Sequence, residues 1–192
     1  MAVLRRVCIY CGSSFGTNPN HRAAAESFAT LLAKRGIGVV YGGASVGLMG
    51  AVADAAIAVG GEVIGVLPHF MADKEIAHTG LTELRLVETL HERKAQMAEL
   101  SDAFVALPGG IGTFEEIFEA LSWAQIGLHT KPCAVLNTDG FYDPLLAFLH
   151  ATVNTGFVRA ATRALLLSEN EPETLLTALE TFAPTAYNRW TL

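Results

Sequence analysis

The chain holds 192 residues, a length suited to one domain with a sizeable core. Thirteen Lys plus Arg against nineteen Asp plus Glu leave a formal net charge of −6, which disfavours binding to nucleic-acid polymers. Hydrophobic residues make up 51% and aromatic residues only 8%, so Ala, Val, Leu and Ile must build the core, as they do in parallel strands covered by helices.

Apolar, β-rich runs alternate with longer helical patterns along the chain. Val7 to Cys11 reads as a first strand, and Asn18-Pro19 supplies a cap and first-turn proline for a helix ending near Arg35, with Gly36 behind it. Gly38 to Tyr41 is a second strand, followed by a glycine-rich turn and an Ala-rich helix from about Val46 to Val59. Glu62 to Leu67 is a third strand closed by Pro68, and residues 68 to 83 form a long irregular stretch of the kind that borders a site. Leu84 to Val87 is a fourth strand, and Thr89-Leu90-His91-Glu92 is a capping box for a helix to about Leu100. Ala103 to Leu107 is a fifth strand, followed by a second glycine-rich turn and a helix to about Leu128. Ala134 to Leu136 is a sixth strand, Asp143-Pro144 opens another helix, Leu165 to Leu167 is a short last strand, and Pro172 starts a final helix ending before Pro184. Such alternation predicts right-handed crossovers, an α/β three-layer αβα sandwich of Rossmann-like type, and ligands at the carboxyl ends of a mainly parallel sheet.

No uninterrupted apolar stretch approaches the roughly 18–20 residues that span a bilayer; even Ala51 to Phe70 is broken by Asp54, Glu62, Pro68 and His69. The apolar run Val7 to Tyr10 is too short for a secretory signal. Three cysteines, an odd number, suit a reducing compartment, so the expectation is a cytoplasmic protein without a membrane partner. Cys8 and Cys11 match C-x-x-C, but residues three apart on a strand point to opposite faces, and no second pair completes a tetrahedral site. The histidines show no metal spacing either. Neither a metal nor any other cofactor is expected.

Three segments carry candidate chemistry. The turn Gly42-Gly43-Ala44-Ser45-Val46-Gly47-Leu48-Met49-Gly50 runs from a strand end into a helix, where bare backbone and free amides favour an anion. Leu48 stands where a Walker A loop has its lysine, which argues against an NTPase. A tight turn with close helix packing explains the same glycines without a ligand. The turn Pro108-Gly109-Gly110-Ile111-Gly112-Thr113-Phe114-Glu115-Glu116 pairs a second anion site with two carboxylates; Thr113 and Glu116 also fit a capping box. In the helix opening at Thr89, Arg93 interrupts the apolar stripe of Leu90, Met97 and Leu100. It either snorkels to solvent or aims a guanidinium at the strand ends to bind a phosphate or ribose.

Together with Cys11-Gly12-Ser13-Ser14, Gly42-Gly43 through Met49-Gly50 and Glu92-Arg93-Lys94, the segment from Pro108 to Glu116 resembles the P-G-G-x-G-T-x-x-E signature of the LONELY GUY (LOG) family. The resemblance spans nearly the whole chain, so residues 1–192 are expected to form a single nucleotide-binding catalytic domain. It implies cytokinin riboside 5′-monophosphate phosphoribohydrolase activity, which releases an N6-modified adenine and ribose 5-phosphate, with AMP a poorer substrate. By the same resemblance, Glu116 is the catalytic carboxylate and Arg93 its catalytic partner. Gly109, Gly110, Gly112 and Thr113 hold the phosphate, Glu115 contacts the ribose, and Lys94, Met97 and Glu75 add further walls. Gly42 and Gly43 complete the substrate-binding set.

Such proteins are often labelled lysine decarboxylases. Amino-acid decarboxylation usually relies on pyridoxal phosphate on a Schiff-base lysine, and of Lys34, Lys74, Lys94 and Lys131 none lies in a recognisable cofactor motif. A non-catalytic nucleotide or cofactor carrier on the same scaffold is the alternative, needing only the glycine turns. Along the helix after the second turn, Glu116, Glu119, Trp123 and Ile126 share one stripe, and Ile117, Leu121, Ala124 and Leu128 another. Apolar surface thus exceeds what one packed face requires, and the resemblance agrees in pointing to a homodimer.

Overall fold

Strands that are apolar on both sides must be covered on both faces. In the computed structural model, which describes residues 4–72 and 76–183, the chain meets this demand with one seven-stranded sheet. The strands are β1 (Arg6–Tyr10), β2 (Gly38–Tyr41), β3 (Val63–Pro68), β4 (Glu83–Val87), β5 (Ala103–Ala106), β6 (Cys133–Leu136) and β7 (Leu166–Glu169). Their spatial order is β4-β3-β2-β1-β5-β6-β7 and every pairing is parallel. The five inner strands are buried almost throughout, whereas the edge strands β4 and β7 are mostly accessible.

The crossovers supply helices α1 (Pro19–Lys34), α2 (Gly47–Ile57), α3 (His69–Ala72), α4 (Leu90–Leu100), α5 (Ile111–Gln125), α6 (Asp143–Asn154), α7 (Ala160–Arg163) and α8 (Pro172–Thr181). Local signals start the longer ones. The Asn18 side chain accepts from the Asn20 amide ahead of Pro19, and Thr89 Oγ1 accepts from the Glu92 amide. Glu92 reaches back to accept from the Glu88 amide, one residue beyond the Thr89 amide that a capping box would use.

Alternate strand residues feed two separate cores. Val7, Ile9 and Cys11 pack with α1, α2 and α8 on one face, while Cys8 and Tyr10 pack with Met97, Ile117 and Leu149 on the other. Cys8 and Cys11 therefore lie on opposite faces, and all three cysteines are free thiols. The stretch expected to be irregular from 68 to 83 is partly ordered: α3 is a single helical turn, and Ala77 bridges to Ala44. The short helix α7 carries no sequence signal and was not expected. No helix among the described residues is long and apolar enough to cross a membrane.

Candidate active site

From β1 the chain moves outward through β2, β3 and β4, then returns to place β5 on the other side of β1. The connections after β1 and β5 leave the sheet in opposite directions, which opens a crevice at their carboxyl ends. Three loops meet there backbone to backbone. The Gly12 amide donates to the Pro108 carbonyl at 3.1 Å, and the Leu48 amide donates to the Gly12 carbonyl at 3.1 Å. A Cβ on Gly47, whose φ is +57°, would lie 2.3 Å from the Ser13 backbone; one on Gly109 would lie 2.1 Å from Thr113 Oγ1 and 2.9 Å from the Gly12 nitrogen. These glycines let the loops touch.

The crevice is a cleft of about 290 Å³. One wall is the start of α5, whose N-cap is Gly110 with no side chain to accept from the first-turn amides. Unlike Gly47 and Gly109, Gly110 and Gly112 have nothing within 4 Å of a built Cβ. Packing does not require glycine at these two positions, so the bare backbone is turned to open space at a helix N-terminus, where free amides and the dipole favour an anion. Thr113, 3% exposed, lines the same wall.

Arg93 from α4 and Glu116 from α5 face each other in this cleft, with Nη1 3.6 Å from Oε1 and each side chain 12% exposed. Arg93 Nε donates to the Val66 carbonyl on β3 at 3.1 Å, which fixes the guanidinium inside the molecule. The snorkelling reading of Arg93 is thereby overturned. Its room comes from Gly42, where a Cβ would sit 1.9 Å from Arg93 Nη2. Burial pushes the Glu116 carboxyl up to about 6; the Arg93 charge opposes that rise, Glu115 adds to it, Lys94 opposes it and Glu119 adds to it. At neutral pH Glu116 is thus largely ionised, as an electrostatic stabiliser or base must be. The capping reading of Glu116 also fails: α5 starts at Ile111, so Thr113 lies inside the helix and caps nothing.

Of the expected site residues, Arg93, Glu116, Met97, Gly110, Gly112, Thr113 and Gly42 line the cleft. Gly109 packs behind them beneath Thr113. Gly43, at φ +77°, is occupied by chain packing, with a Cβ meeting Leu67 and Leu84 at 3.1 and 3.2 Å. Lys94 and Glu115 are hydrogen-bonded to each other and are absent from the cleft wall. Glu75 lies outside the described residues. The structure adds Tyr10, Ser13, Met49 and Met71 to the wall. Ser13 and Met49 stood within the motifs already singled out, Tyr10 ends a strand that reads simply as core, and nothing in the sequence marks Met71 on its one-turn helix. Among the described residues no group of three or more His, Cys, Asp or Glu is arranged to hold a metal.

Known proteins resemble the chain over most of its length. Residues 49–179 match the family described as possible lysine decarboxylase. The chain is 46% identical over 180 residues to the cytokinin riboside 5′-monophosphate phosphoribohydrolase LOG2 of Arabidopsis thaliana, covering 94% of this chain and 84% of that protein. It is 45% identical over 180 residues to the enzyme of the same description, LOG, from Oryza sativa subsp. japonica, covering 94% and 74%. Among solved structures, the molybdenum cofactor binding protein of Rippkaea orientalis superposes with a TM-score of 0.71 at 20% identity, covering 94% of this chain and 98% of that one. That likeness is one of fold.

Proposed function

We infer the function from one premise: the chain belongs to the LONELY GUY family, the family that also carries the description of possible lysine decarboxylases. It is a cytokinin riboside 5′-monophosphate phosphoribohydrolase, which hydrolyses the N-glycosidic bond of N6-modified adenosine 5′-monophosphates to the free base and ribose 5-phosphate. The observation that carries this reading is the near-buried pair Arg93 and Glu116 beside the uncapped start of α5.

Cleaving the bond builds positive charge on the ribose, and a carboxylate near C1′ stabilises that charge and orients or deprotonates the attacking water. Glu116 takes this role. The amides of α5 around Gly110, Gly112 and Thr113 receive the 5′-phosphate. Arg93 holds Glu116 in place and, with its remaining donors, positions the nucleotide or polarises the leaving base. Met97 forms part of the apolar wall. Among the described residues the lysines offer no rival chemistry, and Lys74 lies outside them. Lys34 is exposed at the end of α1, Lys131 Nζ donates to the Ala98 carbonyl, and Lys94 is held by carboxylates. Incubation with N6-isopentenyladenosine 5′-monophosphate tests the assignment: free base and ribose 5-phosphate are expected in equal amounts, whereas nucleotide bound and recovered intact would favour a carrier.

The same reading includes a homodimer in the cytoplasm. Its support is the presence of large exposed apolar side chains just past α5, Ile126 and Leu128, and on and after α6, Phe148 and Phe157. Trp123, on α5, is half-buried. A two-fold contact between such faces covers them and brings a second subunit close to the helix that carries Glu116. Three buried free thiols suit a reducing compartment. Sedimentation at micromolar concentration is expected to show a dimer that Trp123→Asp weakens, through the cost of burying an unpaired charge; a fully active wild-type monomer would contradict it.

A further inference from the structure

Arg93 and Lys94 are consecutive on α4, and Glu115 and Glu116 are consecutive on α5. The two helices are therefore joined by neighbouring charge contacts. Arg93 meets Glu116 in the cleft, while Lys94, off the cleft wall and only 8% exposed, is hydrogen-bonded to Glu115 and to Glu119, the latter at 2.8 Å. Glu115 and Glu119 stand four residues apart on one face of α5, a spacing at which like charges repel. Among the described residues, Lys94 is the cation within 4 Å of either of them.

We propose that Lys94 and Glu119 are positioning residues for the reaction: Lys94 ties α5 to α4 and offsets the charges of Glu115 and Glu119, so that Glu116 keeps its own negative charge opposite Arg93. The proposal rests on the reading of Glu116 as the working carboxylate. Burial of the Lys94 ammonium works against its charge, yet its bonds to Glu115 and Glu119 hold its pKa above the ordinary lysine value. The other titratable groups that interact electrostatically with Glu116 are Cys8 and Tyr10 on β1 and Cys11 just after it, whose thiols and phenol burial pushes upward and so keeps neutral. The charges that set the state of Glu116 are thus Arg93 and Lys94 on one side and Glu115 and Glu119 on the other.

The substitutions act in opposite directions. Lys94→Met leaves two uncompensated carboxylates beside Glu116 and raises its titration midpoint; Glu119→Gln removes one negative charge and lowers it. Shifts of about half a pH unit or more are expected for charges this close in a partly buried site. The measurement is the pH titration of the Glu116 side-chain carboxyl carbon by NMR in full-length protein labelled at glutamate, the signal being identified by its loss in Glu116→Gln. The acid limb of turnover should move the same way, so that Lys94→Met loses about twofold or more at pH 6 and recovers it by pH 8, and Lys94→Arg restores the wild-type profile. A purely structural role would lower turnover equally at every pH. Glu119→Gln retains the bond between Lys94 and Glu115 and reports on the coupling even where Lys94→Met fails to fold. A midpoint within about 0.2 pH unit of wild type in every folded variant would overturn the proposal. Because the titration needs no substrate, opposite shifts without any base release would uphold the coupling and defeat only the hydrolase reading.

Discussion

The two glycine-rich turns look interchangeable as text: each follows a strand, opens a helix and reads as a phosphate cradle. In the fold they differ. In the first, every glycine is claimed by the protein itself. A Cβ on Gly42 would strike Arg93, on Gly43 it would press on Leu67 and Leu84, on Gly47 it would meet the Ser13 backbone, and on Gly50 it would come within 2.2 Å of the Ser45 carbonyl oxygen. In the second, Gly109 is claimed in this way, but Gly110 and Gly112 face open space at the start of α5. One turn builds the site and gives Arg93 its place; the other presents backbone to what the site holds. A missing side chain signals a ligand only where nothing in the protein already fills its place.

Substitutions can break this division, and the largest effect should come from the residue the first turn accommodates. Arg93→Ala is expected to lower turnover by about a hundredfold, the scale of losing one electrostatic contact in a water-poor site, and Gly42→Ala should reproduce part of that loss by displacing the guanidinium. Steady-state kinetics on both variants would check it; a normal rate with only a lower melting temperature would return Arg93 to a packing role. Next comes Gly47→Ala, which combines a backbone overlap with a φ of +57° and should cost about 2 kcal/mol or more in chemical denaturation.

A smaller effect has the opposite sign. The folded protein holds the Glu116 carboxyl at about 6, above its ordinary 4.5. Native protein therefore binds this proton more tightly than unfolded chain does, and stability falls as pH rises from 4.5 through 6. Glu116→Gln removes that penalty and should be more stable than wild type by about 1–2 kcal/mol at pH 7, with the gain vanishing near pH 4. Parallel denaturation curves at the two pH values test it, and an equal difference at both would contradict it. The smallest effect sharpens the contrast between the turns: Gly112→Ala should unfold like wild type within about 0.5 kcal/mol yet raise KM about fivefold, since the new methyl group enters only the open space that the proposed function gives to the nucleotide.

Much of this arrangement was legible in the sequence because its signals are local. Asn18-Pro19, Thr89 and the apolar strands marked most elements to within a few residues, and Arg93 announced itself by interrupting an apolar stripe. What stayed hidden depends on distance or on competition between local signals. Thr113 and Glu116 also read as a cap because T-x-x-E is one, but Gly110 caps the helix three residues before Thr113 would, and so leaves Glu116 free to face the cleft. The resemblance gives Lys94 to the substrate wall, and its partners Glu115 and Glu119, 21 and 25 residues away, are beyond the reach of local signals. Met71 belongs to a single helical turn that no periodicity could reveal.

On the proposed function, α5 binds with its glycines and reacts through Glu116. Calorimetric binding of N6-isopentenyladenosine 5′-monophosphate to Glu116→Gln, set beside its rate of base release, separates these two tasks of the helix. Binding is expected within about threefold of the affinity implied for wild type, with base release at least a hundredfold slower. Release within about threefold of the wild-type rate, or loss of binding in parallel with loss of turnover, would contradict it.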